Sequence, residues 1–320
     1  MSPIVTGDPS VQVTVIINTK DRAPELRRAL DSVHDQRAPV EVLVIDDGST
    51  DDTAAMVGEL FPTVRVYRQA RSVGLVVGRN LAARIAQTPV LVVLDDDVVL
   101  DDPGAVLQVF EDLRAPQIGV VAMPVVDVNP SPTAPLLPPD HDSVWVTATW
   151  RGGAHAVRRD AFLSLGGYRE SFFHQGEEAD VALRMLDRGW FCRVGRCGAV
   201  YHYPSPIRSV ARMDVYGRRN EVLHAWLNMP MPFAAAYMLG NAVRGLAIGL
   251  TLGRPLSMIR GILRGLGAAV RQRHLRRPVR RATMLLDRRL RRERVVRLED
   301  ACPGATGQHA KPSLDPPIAR

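Results

Sequence analysis

The stretch VVLDDDVVL, residues 92–100, sets Asp95, Asp96 and Asp97 in a row inside an otherwise apolar run. It reads as a buried strand that delivers three acids at its end. Ionised side by side, they repel by up to ~4 kcal/mol per close pair at an effective dielectric near 20. The segment therefore needs a counter-charge, a bound cation or free water. If the strand persists, Asp95 and Asp97 share one side and Asp96 points away.

Working outward, the pattern repeats. VQVTVII (11–17) is β-branched and apolar, NTKDR breaks it, and Leu26, Leu30 and Val33 follow at helical spacing. EVLVIDDGST (41–50) is a strand ending in Asp46 and Asp47, with Ser49 or Asp51 placed to cap a helix. TVRVYR is a third strand, GLVVGRNLAARIAQ a helix, and PVLVVL the strand that carries the aspartates. Continuous apolar strands alternating with amphipathic helices predict an α/β nucleotide-binding domain, its mostly parallel sheet covered on both faces.

Another strand spans 118–126, followed by the proline-rich VNPSPTAPLLPPDHD, which reads as a loop over the site or a plain surface excursion. WRGGAHAVRRDAFLSLGGY predicts a glycine turn and a short helix, and FFHQGEEADVALRMLDRGW a second helix. FCRVGRCGAVYHYPSP predicts a strand pair and a proline stop. Beyond residue 208 the character changes. The expected division is a catalytic domain over 1–208 (a nucleotide half, 11–126, and an acceptor half, 127–208), a basic helical extension over 209–300, and a disordered tail over 301–320.

The 320 residues, 46% of them apolar, suffice for a full core. MSPIVTGDPSVQ has neither the basic start nor the apolar block of a secretory signal, which predicts a cytoplasmic chain. Cys192, Cys197 and Cys302 form neither a disulfide framework nor a zinc set and read as reduced thiols. The formal net charge is +7, yet sixteen arginines between Arg244 and Arg297 face only Asp287 and Glu293. The molecule is an acidic globule with a basic tail.

In open α/β sheets, ligands bind beyond the carboxyl ends of the strands. Asn18, Thr19 and Arg22, then Asp46 and Asp47, then the triple aspartate all fall at such ends. Asp46 and Asp47 alone would also suit a turn and helix cap. The hard carboxylates of the triple aspartate suit Mg²⁺ or Mn²⁺ with open positions for diphosphate oxygens, or alternatively a solvated strand end.

The ordered set VIINTKDR, VIDDGSTDDT, GRNLAA, VVLDDDV, GGAHAVRRDAFLSLGGY and GEEADVALRMLDRG, over roughly 11–205, resembles a family 2 inverting glycosyltransferase with the GT-A fold. The resemblance, shared with bacterial rhamnosyltransferase-like, polysaccharide and antibiotic-pathway members, implies a nucleoside diphosphate sugar donor, most often of uracil. Asn18, Thr19 and Arg22 would line the nucleotide site, Asp47 would bind the base and Arg79 the base or phosphates. Asp95 would lie near the ribose with Asp96 supporting, and Asp97, closing the D-x-D pair, would be the main metal ligand with His202 as a further one. The family's general base falls at Glu178, as Glu in place of the usual Asp, which leaves Glu177 and Asp180 as contenders. A Glu with an ordinary pKa of about 4.3 is ionised at neutral pH, and a helix amino terminus adds ~0.3–1 kcal/mol in favour of the charge. Gly152, Gly153, His155 and Trp150 flank motifs that would face donor sugar or acceptor; the glycines would equally make a plain turn, whereas His155 reads first as a local hydrogen-bonding residue and Trp150 first as core packing. His174 sits beside the acidic motif in the same position.

The expected activity is metal-dependent transfer of a sugar to an acceptor hydroxyl or amine, the acceptor being a saccharide, a lipid-linked carrier or a small metabolite. A sugar nucleotidyltransferase would share the fold but want a glycine-rich phosphate loop, which VIINTKDR lacks. A non-catalytic protein binding anionic lipid or nucleic acid through the tail would leave the ordered acidic motifs unexplained, so nucleic acid is not expected as a partner. FAAAYMLGNAVRGLAIGLTLG (233–253) holds Asn241 and Arg244 near its centre, and an arginine there costs ~2.5–3.5 kcal/mol on insertion scales. The segment 233–297 therefore reads as peripheral on the inner membrane face, or as packing on the catalytic domain or a second subunit.

Overall fold

The computed structural model describes residues 12–128, 134–204 and 210–302. The expected boundary near 208 and the tail beyond 302 fall outside them. The first third alternates as predicted: β1 (Val13–Thr19), α1 (Ala23–His34), β2 (Glu41–Asp46), α2 (Thr53–Leu60), β3 (Arg65–Arg68), α3 (Leu75–Ile85) and β4 (Val90–Asp95). β1 lies between β2 and β4, parallel to both, with β3 parallel outside β2. All seven β1 residues are buried. Val13, Val15 and Ile17 pack with Leu26, Leu30 and Val33 of α1 and Val57 of α2, whereas Ile16 packs with Val76, Ala82 and Ala83 of α3. Helices on both faces are why the run is continuously apolar. The register sets Asn18 opposite Asp95 and Thr19 opposite Asp46, which brings three strand ends level.

The middle third comprises β5 (Val98–Leu100), α4 (Ala105–Asp112), β6 (Ile118–Ala122), β7 (Val125–Asp127), β8 (Trp145–Thr147), β9 (Ala154–Arg158), α5 (Arg159–Ser164), α6 (Glu177–Asp187), β10 (Phe191–Val194) and β11 (Val200–His202). The glycine turn before α5 is followed by a strand that the sequence did not reveal. β9 runs antiparallel between β4 and β6. The pair read in FCRVGRCGAVYHYPSP separates: β10 joins β6 and β8, whereas β11 joins β5 and β7 in a small second sheet. All three cysteines are free, as expected.

The basic extension forms α7 (Val210–Asn228), α8 (Phe233–Thr251), α9 (Pro255–Arg271), α10 (Arg281–Glu293), β12 (Val296–Arg297) and α11 (Leu298–Ala301). It returns to the large sheet. β12 pairs antiparallel with β8, giving the order β12-β8-β10-β6-β9-β4-β1-β2-β3. Asp187, closing α6, accepts from the Arg280 N–H at 3.0 Å and the Thr283 hydroxyl at 2.6 Å at the start of α10.

Inside this frame α6 is anchored by Asp180, fully buried between Arg169 (2.5 Å) and Arg184 (2.8 Å). Burial works against its charge, but Arg184 and Arg169 hold the carboxyl below its ordinary 3.8. Its stabilising contribution is thus complete above that value and lost as pH falls through the lower folded one. Asp180→Asn leaves two partly buried guanidinium groups short of charge around a buried site, at a cost of ~3–5 kcal/mol. Thermal denaturation at neutral pH should show a melting temperature lower by roughly 10 °C; an unchanged one would refute the anchoring role.

Candidate active site

A cleft of about 1200 Å³ opens beyond the carboxyl ends of β1, β2 and β4. It is lined by Asn18, Thr19, Arg22, Asp47, Arg79, Asp95, Asp96, Asp97, Gly152, Gly153, Glu177, Glu178 and His202. The strand ends at Asp95, and Asp96 and Asp97 form a turn into β5. Asp96 leans on the end of β1, accepting from the Thr19 hydroxyl at 2.8 Å and pairing with Arg22 at 3.1 Å. Asp97 meets the same guanidinium at 3.0 Å. The counter-charge that the triple aspartate requires is therefore protein-borne: Arg22 for Asp96 and Asp97, Arg79 for Asp95.

Asp95, Asp97 and His202 each offer a ligand atom within 4.8 Å of the others. Two carboxylates and an imidazole suit Mn²⁺ or Mg²⁺. The His202 ring is oriented by Asp127, whose carboxylate lies 2.5 Å from Nδ1, so that Nε2 faces Asp97 at 3.3 Å. Carboxylate orientation of a ligating histidine is the usual support of such sites. Burial opposes it, but hydrogen bonds to Asp97 and Asp127 raise the His202 pKa, while His202 and Arg22 lower that of Asp97 against the same opposition. Asp127 in turn pairs with Arg151 at 2.5 Å. Asp127 and Arg151 escaped sequence reasoning. Their signal was the parallel register of β7 and β11, which sets Asp127 opposite His202 and is invisible to local pattern.

Arg79 on α3 is buried and spans the cleft floor. It donates to Asp95 at 2.6 Å and to the Gly152 carbonyl at 2.9 Å, and its other terminal nitrogen lies 3.6 Å from Glu178. Gly152 serves this approach: a Cβ there would sit 2.2 Å from the Glu178 carboxylate. Gly153, whose carbonyl accepts from the Asp95 N–H at 2.9 Å, has no such crowding. Glu177 and Glu178 open α6 behind Gly176, which has a φ of 85° suited to glycine. Glu178 departs from the expected ordinary carboxylate. Burial, with Glu177 beside it, pushes Glu178 up to about 8, and burial raises Glu177 as well.

Asn18 is buried with neither side-chain polar atom bonded among the described residues, and the space it occupies depends on Gly78, where a Cβ would fall 1.8 Å from its amide nitrogen. Asp47 pins the opposite wall, accepting from the Ser72 hydroxyl (2.6 Å) and the Val73 (2.7 Å) and Gly74 (3.0 Å) N–H groups. Asp46 makes the turn that its sequence position also allowed, accepting from the Ser49 N–H at 2.7 Å.

Three candidates lie away from the cleft. Asp180 is committed to Arg169 and Arg184, which removes it as a contender for the base. His155 faces into the sheet because β9 is a strand. It bonds the Tyr168 hydroxyl at 2.9 Å, and Trp150, also buried, packs 5.2 Å from its ring. The described part of the proline-rich loop does not line the cleft either. Instead the cleft gains Arg212 and Met213 from α7 and Phe173, His174 and Gln175 from the loop before α6. Asn220 of α7, which nothing in the sequence marked out, holds that loop through the carbonyls of Phe172 (2.9 Å), His174 (2.8 Å) and Gln175 (2.6 Å).

The likenesses to known proteins agree with this geometry. Over 96 residues the chain is 34% identical to the succinoglycan biosynthesis protein ExoU of Rhizobium meliloti (strain 1021), covering 29% of this chain and 28% of that protein. The chain spans under a third of the length of the curated relatives it matches. S. aureus TarS 1-349 in complex with UDP-GlcNAc superposes with a TM-score of 0.62 at 17% identity, covering 81% of this chain and 80% of that one. The mannosyltransferase PcManGT from Pyrobaculum calidifontis, in complex with GDP-Man and Mn²⁺, gives 0.57 at 19% identity over 80% and 87%. These shapes establish the GT-A fold. The sequence itself matches Glycosyl transferase family 2 over residues 14–174, just over half of its length, and the chain belongs to that family.

Proposed function

We propose that the protein transfers a sugar from a nucleoside diphosphate sugar, UDP-linked by preference, to an acceptor hydroxyl or amine with inversion at the anomeric carbon. The observation that carries this reading is the Arg79 bridge, which joins a three-donor acidic cluster to a buried, basic carboxylate across one cleft. Asn18 and Asp47 offer polar atoms to the base and ribose, and Arg22 and Arg79 offer charge to the phosphates. Asp95, Asp97 and His202 would hold Mn²⁺ or Mg²⁺. Bound there, the ion supplies Lewis-acid stabilisation to the leaving diphosphate. Glu178 takes the acceptor proton as the acceptor oxygen or nitrogen bonds to the anomeric carbon. The bond from that carbon to the diphosphate breaks, and the electron pair leaves with the phosphate oxygen. A carboxylate that burial makes more basic is better matched to this proton than an ordinary one. The relative named for succinoglycan biosynthesis favours a saccharide acceptor.

Glu178→Gln should bind donor with little change yet lose ~10²–10⁴-fold in kcat. Near-native turnover would move the base to Glu177. Because only the deprotonated form accepts a proton, kcat/KM of the unaltered enzyme should rise with pH along a limb centred near the Glu178 value of about 8. A profile flat across neutrality would contradict the assignment.

Calorimetric titration of UDP with and without Mn²⁺ addresses the cation. Asp97→Ala should abolish the enhancement of UDP binding by Mn²⁺, and its retention would sink the metal assignment.

A further inference from the structure

α8 and α9 turn one face to α7 and the other to solvent. Gly245 of α8 and Gly261 and Gly265 of α9 seat these helices directly on α7; a Cβ at any of them would meet Arg218, Val215 or Val222 at 2.7 Å. The opposite stripes are apolar and open. Leu239, Val243 and Leu250 recur at helical spacing on α8, and Leu256, Leu263 and Val270 on α9. Leu239, Leu250, Leu256 and Leu263 are 67%, 71%, 79% and 62% exposed, a continuity of bare leucine that a free surface does not keep without an occupant.

Charge identifies the occupant. Residues 222–286 contain ten arginines and no aspartate or glutamate. At 100° per residue, Arg260, Arg264 and Arg271 run along one edge of the α9 stripe. None of the three forms an ion pair among the described residues. A second copy laid on this face would bring no carboxylate to the arginines, because this stretch of the chain holds none. An anionic phospholipid surface instead meets the leucines with its acyl boundary and the arginines with its phosphates. α8 is long and apolar enough to cross a bilayer by length and composition. It lies against α7 and α9, however, with Arg244 near its middle, and a charge at bilayer depth is disfavoured. α7, the helix underneath, lines the cleft with Arg212 and Met213, so docking would hold the cleft beside the lipid.

We infer that the α8–α9 face docks the protein in-plane on an anionic phospholipid surface, its leucine stripes entering the acyl boundary and its arginine edge contacting headgroup phosphates. Sedimentation of the full chain with phosphatidylcholine vesicles, with and without phosphatidylglycerol, tests it without reference to transferase activity. The protein should pellet with the anionic vesicles, stay largely in solution with the neutral ones, and release as salt rises. Leu256→Ser with Leu263→Ser should lower the partition coefficient by roughly a hundredfold, about tenfold for each leucine. Arg260→Gln with Arg264→Gln should lower it by about fivefold for each arginine. Both double variants should keep the unaltered melting temperature, which separates lost docking from lost folding. No pelleting, equal pelleting with neutral vesicles, or pelleting indifferent to both pairs would overturn the inference. So would a dimer, seen by light scattering without vesicles, that the leucine pair dissolves.

Discussion

One buried guanidinium holds the two acidic centres of the cleft in a single structure. Asp95, Glu177 and Glu178 converge on the cleft floor, where burial works against the charge of the two glutamates and Arg79 lies between them and Asp95. Arg79 reaches Asp95 at 2.6 Å and Glu178 at 3.6 Å. Its placement depends in turn on small residues. Gly152 leaves space for the Glu178 carboxylate and turns its carbonyl to Arg79, while Gly78, one residue before Arg79, leaves space for Asn18. The pairing is incomplete by design: Arg79 offsets Asp95 closely and Glu178 loosely, which leaves the latter with a raised proton affinity. A guanidinium bound as tightly to both would favour the ionised form of Glu178 more strongly.

The fold was legible where burial on both faces made the strands continuous. β1, β2 and β4, with α1 and α3 between them, follow from uninterrupted β-branched runs and helical spacing. β9 did not follow, because AHAVR carries a histidine and ends in arginine, and two alanines give little hydrophobic signal. It is central only because β4 and β6 flank it. Strands β5, β7, β8 and β12 have two or three residues each, and such lengths are fixed by tertiary partners more than by intrinsic preference.

For the site, the acids were legible and their partners were not. Position at strand ends marks Asp95 and Asp97, but their charges are offset by Arg22, Arg79 and His202, brought in from other elements. Among Glu177, Glu178 and Asp180, helical pitch separates two: two residues turn the side chain by about 200°, so Glu178 and Asp180 cannot both face one cleft, and only the distant Arg169 and Arg184 fix which of them turns away. His155 is a local hydrogen-bonding residue for the matching reason in a strand. The chain alternates sides from Ala154 onward, and His155 falls on the side occupied by Trp150 and Tyr168.

The family match ends at residue 174, yet Glu177, Glu178 and His202 all lie beyond it. What positions the first two is further along still. Asn220 of α7 fastens the loop that leads into α6, and Asn228 of the same helix donates to Asp180 at 2.7 Å while accepting from Arg169 at 2.8 Å. Phe173 and Gln175 hold positive φ values of 27° and 69°, and conformations so uncommon for these residues persist only where surrounding contacts impose them. Asn220 supplies those contacts. The basic extension is therefore built into the cleft: its first helix fastens the loop that leads to Glu178, and the helices resting on that one carry the leucine face.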